Sequence, residues 1–375
     1  MIPPWKTIIA AFVTSRLTCG FFAYLGHLQR GSGPQIPGRW EGVSVWWINP
    51  LTLYDSEYYL SIAGEGYREL TAPFFPLYPM LMRLGGQSET SMAVAGIIIS
   101  NIALLAALYF LYRLTELDFD SRTAAAAVWL LAFYPTTAFF SAVYTESIFL
   151  LLLLLCFYSA RKQRWMIAGL AGALASLSRN PGALIFVALG LEYLRQQEYS
   201  WKKLELPHLF FVSLPLVSFM GVQAYLWEVL GTPMAAVAVQ QQFYRAPTWP
   251  WEPIWRDVLG FFTFLDFDLL TFVNILSIFI AIILAIRYWR VLRPSYAILL
   301  FGLILMNLAY ALRIPPHTTG TIRYLSTAFP FIQLLGFYST QPTSLSCKYR
   351  LASSGLYFYI FLLFSFLFGL KYFLG

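Results

Sequence analysis

The sequence predicts an all-α polytopic membrane protein with about ten to eleven transmembrane helices and interfacial helices in the first external loop. Two observations carry this prediction. Hydrophobic residues make up 59% of the chain and charged residues only 11%, whereas a soluble domain has about 25% charged residues. Apolar runs also recur along almost the whole chain. We therefore expect residues 1–375 to form a single membrane domain.

Most of the apolar runs approach the roughly 20 residues that a spanning helix needs. They cover residues 5–28, 91–114, 124–140, 145–160, 206–230, 269–288, 295–312, 322–338 and 352–373. A further run at 165–194 is interrupted at Arg179-Asn180-Pro181-Gly182. Because proline lacks a backbone donor and glycine loosens a helix, we expect two short helices that meet at this break.

Lysine and arginine cluster in alternate short loops of this pattern. These residues are Lys6, Arg113, Arg122, Arg161, Lys162, Arg164, Arg195, Lys202, Lys203, Arg287, Arg290, Arg293, Lys348 and Arg350. Cytoplasmic loops carry an excess of basic residues, so we expect this side to be cytoplasmic. The net charge of +7 then follows from membrane topology, and nucleic acid is not expected as a partner.

The opposite, external face should receive the first external loop at 29–90 and the second at 231–265. Tryptophan favours the membrane–water boundary, so segments 44–47 and 249–255 are expected to lie along the surface. The tryptophans concerned are Trp40, Trp46, Trp47, Trp249, Trp251 and Trp255. Function is expected at this face, in a bacterial plasma membrane or, for a eukaryotic chain, in the membrane of the endoplasmic reticulum with the site in the lumen.

The first external loop contains the best candidates for catalysis. Residues 56–63 are predicted to form a short helix stopped by glycine, with Asp55 at its start and Glu57 in its first turn. Aspartate at this position is favoured as an N-cap. The same carboxylate could act as a general base that removes a proton from an acceptor hydroxyl, and a cap would also fix its position. Glu57 is the weaker candidate. Farther on, Pro76 and Pro79 predict a short interfacial or re-entrant segment.

Three arginines lie where an apolar segment meets the external face: Arg179, Arg313 and Arg323. One interpretation is that each side chain extends to water at the boundary. The other is that the guanidinium groups bind a lipid phosphate, which their fork of donors suits. His317 and Arg245 could join them, or be ordinary loop residues. Glu146 could pair with one of these arginines, or simply favour a helix N-terminus.

Several short motifs together resemble the PIG-V-type mannosyltransferases, which belong to the GT-C class of membrane glycosyltransferases. The motifs are Tyr54-Asp55-x-x-x-Tyr59-Leu60-Ser61-Ile62-Ala63-x-x-Gly66-Tyr67, Phe75-Pro76-Leu77-Tyr78-Pro79, Tyr134-Pro135-Thr136-x-Ala138-Phe139-Phe140, Tyr144-Thr145-Glu146-Ser147, Ser178-Arg179 with Gly182, and Arg323-Tyr324-Leu325. They occur in the family's order. The family usually has Arg-Trp before the first-loop aspartate, where this chain has Leu53-Tyr54. The compact chain is more similar to bacterial members.

The resemblance implies a GT-C-like fold and an inverting transfer on the non-cytoplasmic face. The donor would be a polyprenyl- or dolichyl-phosphate sugar, commonly mannose, and the acceptor a hydroxyl on a glycolipid or glycan. The resemblance assigns the base role to Asp55 and phosphate binding to Arg323. The other motif residues expected to bind substrate are Tyr59, Tyr78, Tyr144, Glu146, Arg179 and Tyr324.

We expect no cofactor and no metal ion, because no cluster of acids and histidines has ligand spacing. Asp266 and Asp268 form a D-x-D, but they precede an apolar helix and are expected to act as a cap or interfacial pair. A lipid flippase or other transporter remains an alternative, since broken helices and arginines at membrane level occur there as well. A catalytically silent assembly subunit is the third hypothesis.

Overall fold

The structure, a computed structural model, describes residues 3–29, 42–263, 268–341 and 347–370. These residues are mostly helical, with one pair of three-residue strands, which confirms the predicted all-α class. The helices are α1 (Pro4–Gln29), α2 (Ser56–Glu65), α3 (Leu77–Arg83), α4 (Glu89–Asp118), α5 (Ser121–Ala132), α6 (Glu146–Arg161), α7 (Trp165–Ser176), α8 (Gly182–Gln196), α9 (Leu206–Leu230), α10 (Ala235–Ala238), α11 (Glu252–Thr263), α12 (Leu269–Arg287), α13 (Pro294–Leu308), α14 (Thr321–Thr327), α15 (Phe329–Thr340) and α16 (Cys347–Gly369). Strands β1 (Arg245–Pro247) and β2 (Tyr310–Leu312) form one antiparallel pair.

Four helices are long and apolar enough to cross a membrane by length and composition: α1, α4, α9 and α12. They coincide with the predicted runs at 5–28, 91–114, 206–230 and 269–288. Shorter apolar helices occur at α7, α13 and residues Ser353–Gly369. The chain is therefore an integral membrane protein, and the total of ten to eleven spans stays a prediction.

Three predicted runs are divided by the chain's own breaks. In the run at 124–140, helix α5 ends at Ala132. It cannot continue easily because Pro135 disfavours helical backbone at Tyr134, the residue before it. The run at 295–312 gives α13 and then strand β2. The run at 322–338 divides into α14 and α15 at Ala328, whose ψ of 78° is not helical. Expecting one helix from each run was wrong.

The break at residues 179–182 is confirmed, since α7 ends at Ser176 and α8 begins at Gly182. Glycine is required at this corner for space. A Cβ on Gly182 would lie 2.6 Å from the Ser176 Cβ and 3.1 Å from the Phe219 Cβ, closer than carbon atoms pack.

The two predicted external loops contain several short elements. The first includes α2 and α3, and the second includes α10, β1 and α11. The tryptophans of these loops within the described residues are exposed: Trp46, Trp47, Trp249, Trp251 and Trp255. Trp40 lies outside the described residues.

The chain divides into two compact units, and the expected single membrane domain stays a prediction. Unit 1 comprises Met1–Glu65, Tyr78–Leu151 and Ile332–Leu374. In unit 1, α1 packs closely against α16. A Cβ added to Gly26 would lie 2.0 Å from the Phe366 carbonyl oxygen, and one on Gly369 would lie 1.7 Å from that of Ala23. Small residues thus let two helix backbones touch, as is common in membranes.

Unit 2 comprises Gly66–Leu77 and Leu152–Phe331, with Gly375. A fully buried carboxylate, Glu192, joins three of its helices at the predicted cytoplasmic end. Its Oε1 atom lies 3.0 Å from Arg293 Nη1 and 3.8 Å from Arg161 Nε. Its other oxygen accepts a 2.7 Å hydrogen bond from Ser295. These contacts tie α8 to the end of α6 and the start of α13.

Candidate active site

Asp55 lies at the start of α2 in unit 1, as the sequence predicts. Its backbone carbonyl accepts hydrogen bonds from the N–H groups of Tyr58 and Tyr59, at 3.1 and 3.3 Å. The predicted helix at 56–63 continues to Glu65, and Gly66 then takes a φ of +89°. This conformation is available to glycine at little cost. Asp55 and Glu57 are both half-buried.

The backbone just before Asp55 is held in an unusual conformation. Tyr54 has a φ of +59°, which is uncommon for a residue with a side chain. The Tyr144 hydroxyl accepts from the Asp55 N–H at 3.1 Å and donates to the Leu53 carbonyl at 3.1 Å. One buried hydroxyl therefore binds the chain on both sides of the strained residue. Strain that the surroundings enforce in this way is typical of functional sites.

Two other predicted tyrosines of unit 1 are Tyr59, in α2 itself, and Tyr78, in α3. The Tyr59 hydroxyl lies 3.1 Å from Thr145 Oγ1. The Tyr78 hydroxyl donates to the Gly96 carbonyl at 2.9 Å and lies 2.7 Å from Ser100 Oγ. The rings of Tyr59 and Tyr78 meet edge to face at 5.5 Å. The first, second and fourth motifs thus meet in one buried cluster.

Glu146, the first residue of α6, is fully buried in unit 1. Tyr59, Tyr78 and Tyr144 are also buried, at 5% exposure or less. The contacts of Tyr59, Tyr78 and Tyr144 form part of the buried surroundings of α2, the helix that Asp55 precedes. A direct role of these four residues in substrate binding stays a prediction.

Sequence analysis missed Arg16, which stands near the middle of α1. Its guanidinium donates to the carbonyl oxygens of Thr137 and Ala132, both at 3.0 Å, and to Ser141 Oγ at 2.9 Å. An arginine at the centre of a membrane costs about 2.5–3.5 kcal/mol on insertion scales, which makes such partners necessary. The signal was available, since Arg16 is the one charged residue in the interior, residues 7–26, of the apolar run at 5–28. The hydrogen bonds of Arg16 hold the turn at residues 137–141, which leads to Tyr144.

In unit 2, helix α14 contains the predicted residues Arg323 and Tyr324, and the predicted Arg179 contacts this helix. Arg323 is 7% exposed, and the Arg179 guanidinium lies 5.3 Å from the centre of the Tyr324 ring. Such a cation–π contact holds a guanidinium over the ring face. Arg179 and Tyr324, which are 145 positions apart in the sequence, are thus in contact within this unit.

The start of α14 is fixed by two buried asparagines that sequence analysis did not single out. Asn274 Oδ1 accepts from the Ile322 N–H at 2.9 Å, and Asn307 Oδ1 accepts from the Thr321 hydroxyl at 2.7 Å. Gly320 has a φ of +72° where the helix begins. An asparagine in an apolar helix was the available signal, because polar groups inside membranes usually have a function.

The β1–β2 pair brings the remaining predicted cations together in unit 2. Arg245 stands opposite Leu312 in the ladder, and the Arg313 N–H donates to the Tyr244 carbonyl at 2.8 Å. His317 Nδ1 lies 2.8 Å from the Leu312 carbonyl oxygen. Because a carbonyl oxygen can only accept, the Nδ1 atom is the donor in this contact, and the Nε2 atom is the ring nitrogen left for a ligand. The Arg313 side chain is exposed.

The D-x-D sequence behaves as a helix cap where it is described. Asp268 Oδ2 accepts from the Thr271 N–H and hydroxyl, each at 3.1 Å, at the start of α12. Asp266 lies outside the described residues. Across the part of the chain that the structure describes, no group of three acid, histidine or cysteine side chains could hold a metal ion. The expectation of a metal-free site stays a prediction.

Comparison with known proteins gives a family match and several relatives. Residues 73–225 match the family described as Dolichyl-phosphate-mannose-protein mannosyltransferase. GPI mannosyltransferase 2 of Drosophila melanogaster is 31% identical over 153 residues, covering 36% of this chain and 34% of that protein. The Cryptococcus neoformans protein of the same name is 33% identical over 153 residues, covering 37% and 36%. The predicted resemblance to PIG-V-type mannosyltransferases is confirmed. The chain spans about a third of the length of these relatives.

Solved structures of an oligosaccharyltransferase also match most of the chain. The Archaeoglobus fulgidus enzyme tethered with an acceptor peptide is 13% identical, with a TM-score of 0.44, covering 97% of this chain and 55% of that one. The Archaeoglobus fulgidus AglB complex with an inhibitory peptide and a dolichol-phosphate is 14% identical, with the same TM-score and the same coverage.

Proposed function

We propose that this chain is a membrane mannosyltransferase that uses a polyprenyl- or dolichyl-phosphate sugar as donor. The observation that carries the proposal is the way the backbone at Asp55 is held. The Tyr144 hydroxyl forms hydrogen bonds with the backbone on both sides of Tyr54. The family match and the mannosyltransferase relatives support the same class of reaction. The acceptor is a hydroxyl of a glycolipid or glycan, and the reaction takes place on the external or lumenal face.

Asp55 acts as the general base of this reaction. The acceptor hydroxyl attacks the anomeric carbon of the sugar, a new C–O bond forms, and the bond to the lipid phosphate oxygen breaks. The hydroxyl proton passes to the Asp55 carboxylate, and the leaving phosphate takes the electron pair. Attack from the side opposite the leaving group inverts the anomeric configuration. A positioned carboxylate contributes roughly 10²–10⁴-fold to such a step.

The cationic residues of unit 2 bind the donor phosphate in this proposal. Arg323 and Arg179 supply guanidinium donors that match phosphate oxygens, and His317 in its imidazolium form would donate from Nε2–H. Preorganised cations stabilise the charge of the leaving phosphate without any rearrangement during the reaction. Arg245 and Arg313 would add guanidinium groups for the phosphate, and the Tyr324 ring contacts Arg179.

The test is Asp55→Asn in purified protein supplied with polyprenyl-phosphate mannose and a glycolipid acceptor. We expect transfer to fall by about 10²–10⁴-fold with the fold intact. The matched control is Asp120→Asn, since Asp120 also caps a helix in unit 1, through a 2.7 Å bond from the Thr123 N–H. Asparagine is an equally good cap, so this variant should keep its activity. Full transfer by folded Asp55→Asn would remove the base assignment.

The same assay separates the alternative functions. Movement of the lipid across the bilayer with no transfer by the wild-type chain would identify a flippase or other transporter. Absence of both activities would leave the assembly-subunit hypothesis.

A further inference from the structure

Asp257 is a buried carboxylate on a short external helix. It is 6% exposed, whereas its helix neighbours Trp255 and Leu259 are 60% and 44% exposed. The helix α11 therefore turns Trp255 and Leu259 outward and Asp257 inward. A buried carboxylate is stable only when its oxygens accept hydrogen bonds.

Both oxygens of Asp257 are occupied by a single segment of unit 2. Oδ1 accepts from the His317 N–H at 2.9 Å. Oδ2 accepts from the Thr318 N–H at 2.7 Å and from the Thr318 hydroxyl at 2.6 Å. Three donors therefore occupy three of the roughly four lone-pair sites of this carboxylate. This arrangement suits a structural anchor and not a proton acceptor.

The anchored segment joins β2 to α14. It carries the imidazole of His317, and after Gly320 the chain enters α14, in which Arg323 is the third residue. The positions of His317 and Arg323 therefore depend on where residues 317–318 are held. Asn274 and Asn307 bind the chain at residues 319–322, so Asp257 supplies the hold just before them.

We propose that Asp257 is a positioning residue for the donor-phosphate site, acting through the 317–318 segment on His317 and Arg323. The inference rests on the proposed function, because it assigns these two residues to the donor phosphate. Without the carboxylate, two N–H groups and a hydroxyl would be buried without an acceptor. Because such groups are costly to leave unpaired, the segment would shift to satisfy them.

The experiment compares Asp257→Asn with Glu252→Gln, a matched exchange of acid for amide on the same helix. Glu252 pairs with Arg256 at the surface, so Glu252→Gln should behave as wild type. Each protein is reconstituted in lipid nanodiscs, and binding of a polyprenyl phosphate is measured directly. We expect Asp257→Asn to bind about tenfold more weakly, which corresponds to about 1.4 kcal/mol. The KM for the donor should rise to match, with the KM for the acceptor unchanged.

Thr318 provides a second pair of variants if Asp257→Asn fails to fold. Thr318→Val removes one of the three hydrogen bonds and keeps the side-chain shape, whereas Thr318→Ser keeps the hydroxyl. We expect Thr318→Val to bind the polyprenyl phosphate more weakly than Thr318→Ser. Equal binding by these two variants, or wild-type binding by folded Asp257→Asn, would overturn the inference. If the wild-type chain binds no polyprenyl phosphate at all, the proposed function itself fails.

Discussion

Tyr54 and Tyr144 show how single residues hold the backbone at Asp55, the proposed base. A φ of +59° at Tyr54 costs of order 1–3 kcal/mol and persists only where the surroundings enforce it. The Tyr144 hydroxyl supplies that constraint, and it comes from a motif separated from Asp55 by 89 positions. Arg16 in turn fixes the turn before Tyr144. The backbone at Asp55 is thus held by residues that are distant from it in the sequence.

Replacing Tyr144 by phenylalanine tests this arrangement. The change leaves the Asp55 N–H and the Leu53 carbonyl without their shared partner, which should lower the free energy of unfolding by about 1–3 kcal/mol. Transfer should fall more than stability alone explains, because the carboxylate is no longer held in place. Thermal unfolding and initial rates measure the two effects.

The control for this change is Tyr225→Phe, at a tyrosine that is 47% exposed. It should leave both stability and rate unchanged. A Tyr144→Phe protein with a wild-type rate would show that the hydroxyl does not position the base.

Among the elements, α11 has its apolar side outward. Trp251, Trp255, Leu259 and Phe262 recur at helical spacing and are all exposed, while Asp257 faces inward. The helix has 12 residues, too few to span a bilayer. It ends at Thr263 and α12 begins at Leu269, so its end lies within about 20 Å of a candidate span. These features predict a helix that lies at the membrane surface.

Spin labels on α11 test this prediction. A label at Phe262→Cys, where the side chain is 77% exposed, should be accessible to oxygen dissolved in lipid and protected from a water-soluble relaxation agent. A label at Arg256→Cys, on an exposed polar position of the same helix, should show the reverse. Equal accessibility of both labels to the aqueous agent would exclude a surface-lying helix.

For the whole molecule, the distribution of basic residues predicts the orientation in the membrane. Residues 195–203 should face the cytoplasm and residues 231–263 the outside. A cysteine at Lys202 should react with an impermeant maleimide only after cells are opened, whereas a cysteine at Gln241 should react in intact cells. Both positions are exposed. Cys19 and Cys156 are buried, and Cys347→Ser removes the third thiol. The opposite labelling pattern would contradict this orientation and place the Asp55 loop on the cytoplasmic face.

Sequence analysis and structure agree best where the information is local. Apolar length alone predicts α1, α4, α9 and α12, because a helix needs roughly 20 apolar residues to cross the hydrocarbon core of a bilayer. The break at Pro181-Gly182 was predicted because both residues act on their own backbone. Pro135 and Pro330 carry the same kind of signal, and reading them would have divided the runs at 124–140 and 322–338 correctly.

By itself, the sequence determined the membrane class, the helical content, the position of Asp55 before α2 and the resemblance to PIG-V-type mannosyltransferases. These features depend on composition, on short-range backbone preferences and on residues in fixed order. Only the tertiary structure decided that Arg16 holds Thr137, that Tyr144 binds around Tyr54 and that Asp257 holds Thr318. These contacts join residues separated by 121, 89 and 61 positions. A hydrogen bond depends on where the folded chain brings its donor and acceptor together, and spacing along the sequence carries no record of that distance.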